Sequence, residues 1–472
     1  MTPEPELKRT LGPIALVTLG VGGIIGAGIF TLTGVAAATR SGPAIVISFV
    51  IAAIGCAFAG LCYSEFAALI PKAGSAYTYA RETMGEFVGW VIGWDLILEY
   101  AVGAATVSIG WSQTVIALLD NLGIHLPPAL IASPFQPVVL SNGQTIKGII
   151  NLPAVFIVVM ISLLLIRGIK ESALANSIMV IVKVSVVLVF IAVGWSYVNP
   201  ANHTPLIPPN TGEFGSFGWS GVLQGAGMIF FAYIGFDAVS TAAQESKKPQ
   251  RDMPIGILGS LAVCTVLFIL YSFVLTGVVP YKNLNVAEPL SLALDQIGIR
   301  WLTILMNIAV IAGLTSVMLV MLLGQSRVFF SMSRDGLLPK SFSDIHPRTL
   351  TPWRSNLALM FFVALFSAFA PIAIVGQMTS IGTLFAFVLV CGGILILRKT
   401  RPGPRPFRTP WVPFVPIMGI LVNLVLMAGL GLGNWARLIL WLAIGLLIYF
   451  TYGRKHSVMS AQTEPRPSGS GH

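Results

Sequence analysis

The sequence predicts an all-α polytopic membrane protein that crosses the bilayer twelve times. Three observations carry that reading. Of the 472 residues, 55% are hydrophobic and only 10% are charged, whereas a soluble chain carries roughly 25% charged residues. Apolar runs of about 18 residues or more, the length needed to cross a bilayer, recur along the chain. The basic residues that remain gather in alternate loops.

Bounded by Pro, Gly and charge, the apolar windows place helices at 13–37, 42–70, 86–119, 149–166, 174–198, 218–244, 254–280, 300–331, 354–371, 376–397, 411–432 and 436–452. With the N-terminus cytoplasmic, 22 of the 28 Lys and Arg fall inside, among them Lys8, Arg9, Lys72, Arg81, Lys247, Lys248, Arg251 and the run from Arg398 to Arg408. Five fall on the other side (Arg40, Lys147, Lys282, Arg300 and Arg437), and Lys183 lies within a span. Translocation of cationic loops is disfavoured, so both termini are expected to be cytoplasmic, in a cell membrane. The net charge of +10 then belongs to a bilayer-facing surface and calls for no nucleic acid.

Cys56, Cys62, Cys264 and Cys391 all sit in apolar segments without metal-ligand spacing, and read as small buried residues. The first span lacks a typical cleavage site and is followed by others, so no cleavable signal peptide is expected. The polar stretch from about Ser457 to His472 reads as a disordered tail.

The first span contains GVGGIIGAGIF, Gly20 to Phe30, and glycine is a poor helix-interior residue. Unwound backbone is tolerated at membrane depth only where protein or a water-filled site covers it. Gly20 and Gly34 read as packing glycines, so Gly20→Ala should be mild. The cluster Gly23-Ile-Ile-Gly26-Ala-Gly28 is too dense for packing alone and predicts a break. It matches neither dinucleotide-binding nor phosphate-loop spacing. Transporters often interrupt two helices at corresponding positions of paired repeats. The second break is expected in span six, where Gly225, Gly227, Gly235 and Asp237 interrupt an apolar run.

GIIGAGIF in span one resembles the glycine-rich motif of the amino acid–polyamine–organocation superfamily. YSEFAALIPKAGSAYTYARETMGEFVGWVIGWDLILEY, FFAYIGFDAVSTAAQESKKPQRDMPIGI and GQSRVFFSMSRDGLLP fit the same pattern, and together are most similar to the cationic amino acid transporter family, compact bacterial type. The resemblance runs from about residue 12 to 410. It implies the LeuT-like five-plus-five inverted repeat with broken helices one and six, plus two C-terminal helices. Residues 1–12 would then be a cytoplasmic N-terminus, 13–198 repeat one, 218–398 repeat two, 411–452 the added pair and 453–472 a cytoplasmic tail.

A break at Gly26, Ala27 and Gly28 exposes amides at the positive end of the outer half-helix, a seat for a carboxylate. Carbonyls of Ile24 and of Phe231, Ala232 and Ile234 would accept from an ammonium, so backbone alone can bind an amino acid zwitterion. The resemblance puts the same positions in contact with substrate and makes Phe231 an aromatic lid, against the plainer reading of a core aromatic. Val317, Val320 and Met321 on span eight are candidate walls for the substrate side chain. Asp95 and Glu99, one turn apart in span three, are the acids available to a cationic substrate, or else a structural pair near a helix end. Neutral L-amino acids such as alanine are therefore favoured over arginine or lysine.

Lys183, inside IMVIVKVSVVLVF, is a functional candidate because it is ionisable within the membrane. Taking an ammonium out of water disfavours its charged form, so such a lysine can give up a proton. In some proton-coupled relatives a span-five lysine occupies the position that sodium holds in others. Thr315 and Ser316 would be its span-eight neighbours. Protons are then the coupling ion, sodium is not expected, and no cofactor is implied. A structural tie from span five to span one is the alternative. Asp237 is a candidate for proton movement or an inner gate, or for a helix-end hydrogen bond. Glu65, Lys72, Arg81 and Glu82, near the cytoplasmic end of span two and its loop, read mostly as interfacial charges, with a gate contact as the alternative.

The five histidines are scattered, with His203 and His346 in loops, and no nucleophile–base grouping suggests an enzyme. The leading expectation is a secondary active proton symporter for L-amino acids working by alternating access. An obligate exchanger, a cationic amino acid transporter and an amino acid receptor are the rivals. A small single-span partner on the lipid-facing side is left open.

Overall fold

The computed structural model describes residues 11–70, 75–135, 137–139, 145–168, 173–237, 239–240, 246–286 and 288–458. The N-terminal segment through residue 10, Lys72 and most of the expected tail (459–472) lie outside the described residues.

Each apolar window holds a helix. Pro13–Ile24 begins with Pro at its first position, where the missing N–H is no loss. The chain then runs helically again through Gly28–Leu32, Thr33–Ala36 and Ala37–Ser41 before turning at Gly42 (φ +61°) into Ile45–Leu69. Next come Glu86–Ile97, Leu98–Val102 and Gly103–Asn121, which together make the third span. Leu152–Ile166 is capped by Asn151, whose side chain accepts from the Ala154 amide at 3.2 Å and from Ser112 Oγ at 2.6 Å. Ala173–Trp195, Gly218–Ile229, Pro249–Val278, Arg300–Arg334, Trp353–Phe369, Ile372–Thr400, Phe414–Gly429 and Leu432–Ile448 complete the series.

Seven helical stretches among the described residues are long and apolar enough to cross a membrane, and four shorter apolar helices accompany them. The protein is thus an all-α multi-span membrane protein. One departure is an antiparallel pair, Pro137–Val139 with Thr145–Lys147, in the loop after span three. Another is at the C-terminus, where Arg454–His456 is helical and the Val458 amide donates to the Asp335 carbonyl at 3.1 Å. The expected tail therefore begins docked, because Ser457 reaches Glu86 and is itself buried.

The seventh helix, Pro249–Val278, packs between Ile45–Leu69 and Pro13–Ile24, while Arg300–Arg334 packs along Gly103–Asn121. Ala173–Trp195 bridges these groups, touching spans one, seven and eight. Spans one, three, six and eight meet around Gly26 to Gly28.

Glu65 is the clearest correction of the sequence reading. It is fully buried, not interfacial. Its carboxylate accepts from Arg398 Nε and Nη2 at 3.0 and 2.9 Å, Arg405 Nη1 at 2.9 Å and the Thr409 amide at 2.8 Å. A buried charge persists only with such full pairing. Arg81 and Tyr77 both reach Asp335 Oδ2, at 2.9 and 2.6 Å, tying the short helix Ser75–Met84 to the end of span eight.

Candidate functional site

The first break falls where the glycines predict it. The helix ends at Ile24, Ile25 is extended (φ −72°, ψ 104°), and helical geometry resumes by Gly28. The opening amides of the second half have no intrahelical acceptor by the geometry of any helix start. Span six ends its regular helix at Ile229, tightens through Phe230–Tyr233, becomes extended at Ile234 (ψ 137°) and reverses at Gly235 (φ +116°). Only glycine adopts that last conformation without strain.

The two breaks cross in contact. A Cβ on Gly28 would stand 2.3 Å from Ala232 Cα, and one on Gly235 would stand 2.7 Å from the Gly23 carbonyl carbon. Backbone meets backbone at both points, so neither position admits a side chain. Gly26 differs: its Cβ would rest 3.5 Å from Val317, ordinary contact. Gly20 is packed as expected, yet its Cβ would lie 2.6 Å from Ser260 Cβ. The expectation of a mild Gly20→Ala is therefore corrected, because span seven approaches too closely.

Ile24, Ala27, Phe231, Ala232 and Ile234 are all buried at this crossing, and Phe231 is 4% exposed. The Phe231 carbonyl already takes the Ile234 amide at 3.2 Å, leaving one lone pair for a ligand. Span eight supplies Val317 beside Gly26, and Met321, whose sulfur lies 3.4 Å from where a Gly103 Cβ would be. Both are buried, whereas Val320 is half-buried. On span three, a Cβ on Gly110 would sit 3.2 Å from Ala27 Cβ. The nearby Thr31 hydroxyl is buried and meets no partner among the described residues.

Lys183 is 1% exposed, and its Nζ donates to the Gly22 carbonyl at 2.8 Å. It thereby caps the last turn of the helix Pro13–Ile24, the negative end of that dipole. Its aliphatic stem runs along Gly313 of span eight, where a Cβ would stand 2.9 Å from Lys183 Cγ. Ser316 is buried on the same helix. Thr315 turns to span three instead, accepting from Trp111 Nε1 at 3.0 Å and donating to the Ile311 carbonyl at 2.8 Å.

Beyond the second break lies a group of buried acids. Asp237 accepts from Tyr100 Oη at 2.6 Å and from Ser75 Oγ at 3.5 Å. Glu99 lies against Asp237 and Thr383, with Asp95 within electrostatic reach. Asp95 is 1% exposed, and neither of its carboxylate oxygens meets a donor among the described residues. The two span-three acids are not near a helix end, since helical structure continues from Glu86 to Asn121 around them. The π-helical turn Leu98–Val102 explains their setting: the extra residue turns Glu99 and Tyr100 toward span six. Sequence reasoning missed Tyr100, Ser75 and Trp111. The only signal for Tyr100 and Trp111 was polarity on an apolar span, and Ser75, on the polar helix Ser75–Met84, carried none.

The amino acid permease family model matches residues 11–452. The chain is 46% identical to the branched-chain amino acid permease BcaP of Bacillus subtilis (strain 168), over 97% of this chain and 96% of that protein. It is 42% identical to the methylthioribose transporter of the same organism, over 96% and 95%. It is also 30% identical to the vacuolar cationic amino acid transporter 4 of Arabidopsis thaliana, over 96% and 93%. These matches extend over nearly the whole chain, including both breaks and Lys183, and they place it among transporters and not enzymes: the chain belongs to the amino acid permease family.

Proposed function

We propose that this permease takes up neutral L-amino acids together with protons by alternating access. Its twelve spans would form the five-plus-five repeat, 13–198 and 218–398, with the added pair at 411–452 and both termini cytoplasmic. The crossing of two broken spans beside a lysine-capped half-helix is the observation that carries this reading.

In it, the amides of Ala27 and Gly28 take the substrate carboxylate, and the carbonyls of Ile24, Phe231, Ala232 and Ile234 take the ammonium. Phe231 closes the outer side. Val317 and Met321 bound an apolar pocket, which suits alanine and the branched side chains for which the Bacillus relative BcaP is named. Lys183, held at Gly22, gives up its proton to release the inner half-helix, with Ser316 beside it and Thr315 steadied by Trp111. Asp237, Glu99 and Asp95 form the inner gate and the proton's way out.

A second reading comes from the methylthioribose transporter, whose named substrate has neither carboxylate nor ammonium. Reconstituted protein in liposomes separates these readings. Labelled alanine or leucine should accumulate under an inward proton gradient, and excess methylthioribose should not compete. Uptake that required sodium and ignored pH would overturn proton coupling, and obligate exchange without net uptake would favour an antiporter.

A further inference from the structure

Between spans seven and eight lies a buried carboxyl outside the amino acid site. Glu288 directly precedes the short helix Pro289–Ile297, whose end is closed by Gly298 in the left-handed conformation. Glu288 is 8% exposed, and its Oε1 accepts from Thr114 Oγ1 of span three at 2.8 Å. The same hydroxyl, which has a single proton, also lies 3.0 Å from the carbonyl of Gly110, its alternative acceptor and the residue packed on Ala27. The same loop presses on the outer half of span one: a Cβ on Gly34 would lie 2.3 Å from Pro289 Cγ and 2.8 Å from the Leu284 carbonyl oxygen. One carboxyl therefore seats this loop across span three and the part of span one that follows the first break.

No cation faces that carboxyl among the described residues. Tyr271 of span seven is the titratable group within electrostatic reach. The charged groups on neighbouring elements lie at the surface and are engaged elsewhere. Asp120 pairs with His125, Asp295 accepts from Thr303, Arg300 holds the Asn121 carbonyl, and Lys282 lies over the Tyr281 ring.

We propose that Glu288 is a positioning residue of the outer gate: in its neutral form it seats the helix Pro289–Ile297 on spans one and three, and its ionisation releases that helix. Burial pushes the Glu288 carboxyl up to about 8 from its ordinary 4.5, with the Thr114 bond opposing. On a loop opened to water the ordinary value returns. Seating is therefore fully favoured below 4.5, weakens as pH rises from 4.5 to about 8, and changes no further above that. The proposal rests on the alternating-access reading only in requiring that this loop move.

The test is a spin-label distance in lipid nanodiscs between Leu122→Cys at the end of span three and Gln296→Cys on the short helix, both exposed positions. The four native cysteines are buried. The distance should be short at acidic pH and lengthen up to a plateau near pH 8, the open-to-seated ratio rising by up to about tenfold per pH unit. Glu288→Gln should stay short throughout. Thr114→Val removes the bond that favours the charged form, so its pH-dependent window should extend higher. A distance indifferent to pH in the parent protein, an unchanged response in Glu288→Gln, or a window moved lower in Thr114→Val would each overturn the proposal. If saturating leucine lengthens or shortens the distance while pH does not, the gate role alone fails. If neither moves it, alternating access at this loop fails with it. Lys183→Ala should lose pH-driven uptake but keep this response.

Discussion

The Lys183 ammonium lies 2.8 Å from the carbonyl oxygen of Gly22, in the last turn of the half-helix that ends at the first break. Among the described residues this bond links span five directly to the half of span one that ends at the first break. Protonation decides its strength, because an ammonium donates a charge-assisted bond that a neutral amine does not. Lys183→Ala should cut pH-driven net uptake at least about tenfold, equivalent to ~1.4 kcal/mol of coupling. Exchange of internal for external leucine should persist. Liposome uptake with and without a pH gradient, run beside counterflow, reads both quantities.

The contact between Gly28 and Ala232 sets a second expectation. With only 2.3 Å available to a Cβ, any side chain at residue 28 must drive the two breaks apart. Overpacking of this kind costs about 1–3 kcal/mol, which would weaken leucine binding by roughly tenfold to a hundredfold on the usual conversion. Gly28→Val should therefore lose binding in a scintillation proximity assay. Gly26→Ala, whose Cβ has 3.5 Å to Val317, should fold normally and lose far less.

Comparison of Gly28 with Gly20, Glu65 and Glu288 shows what could be read from the chain alone. Helix placement follows from local composition, and so does the break at Gly26 to Gly28, since glycine density acts within one segment. The severity of Gly20→Ala depends on Ser260, on another span, and no local pattern reveals that approach. Glu65 read as interfacial because its partners Arg398, Arg405 and Thr409 come from the far end of the chain. Asp237 was visible as a lone acid in an apolar run. Its partner Tyr100 became visible only with the π-helical turn of span three, and Ser75 only with the packing of the helix Ser75–Met84. Glu288 carried one weak signal, an acid followed by Pro at the start of a loop helix. Its burial against Thr114 comes from tertiary packing alone.

Glu65 offers a test of stability separate from transport. Arg405 is 3% exposed on its side chain and Arg398 26%, so a neutral residue at 65 strands at least one buried guanidinium. Breaking a buried pair by removing one partner costs about 3–5 kcal/mol. Glu65→Gln should lower the thermal unfolding temperature of the detergent-solubilised protein markedly, and Arg398→Ala, nearer the surface, should do so less. Equal melting of the parent and Glu65→Gln would show that this cluster does not hold the loop after span ten to span two.

Met321 closes the apolar side of the proposed pocket, buried beside Gly103 and one helical turn from Val317. Methionine is long and deformable, so it fills whatever space the substrate leaves. Shortening it enlarges the pocket without touching the backbone groups that hold carboxylate and ammonium. Discrimination between side chains differing by one methylene is worth about 1–3 kcal/mol in an apolar pocket. Met321→Ala should therefore move the preference from alanine and leucine toward bulkier amino acids, by about tenfold for each methylene accommodated. Competition of unlabelled amino acids of increasing length against labelled leucine measures the shift. An unchanged rank order in Met321→Ala, with a changed one in Val317→Ala, would transfer the selecting wall to the residue that touches Gly26.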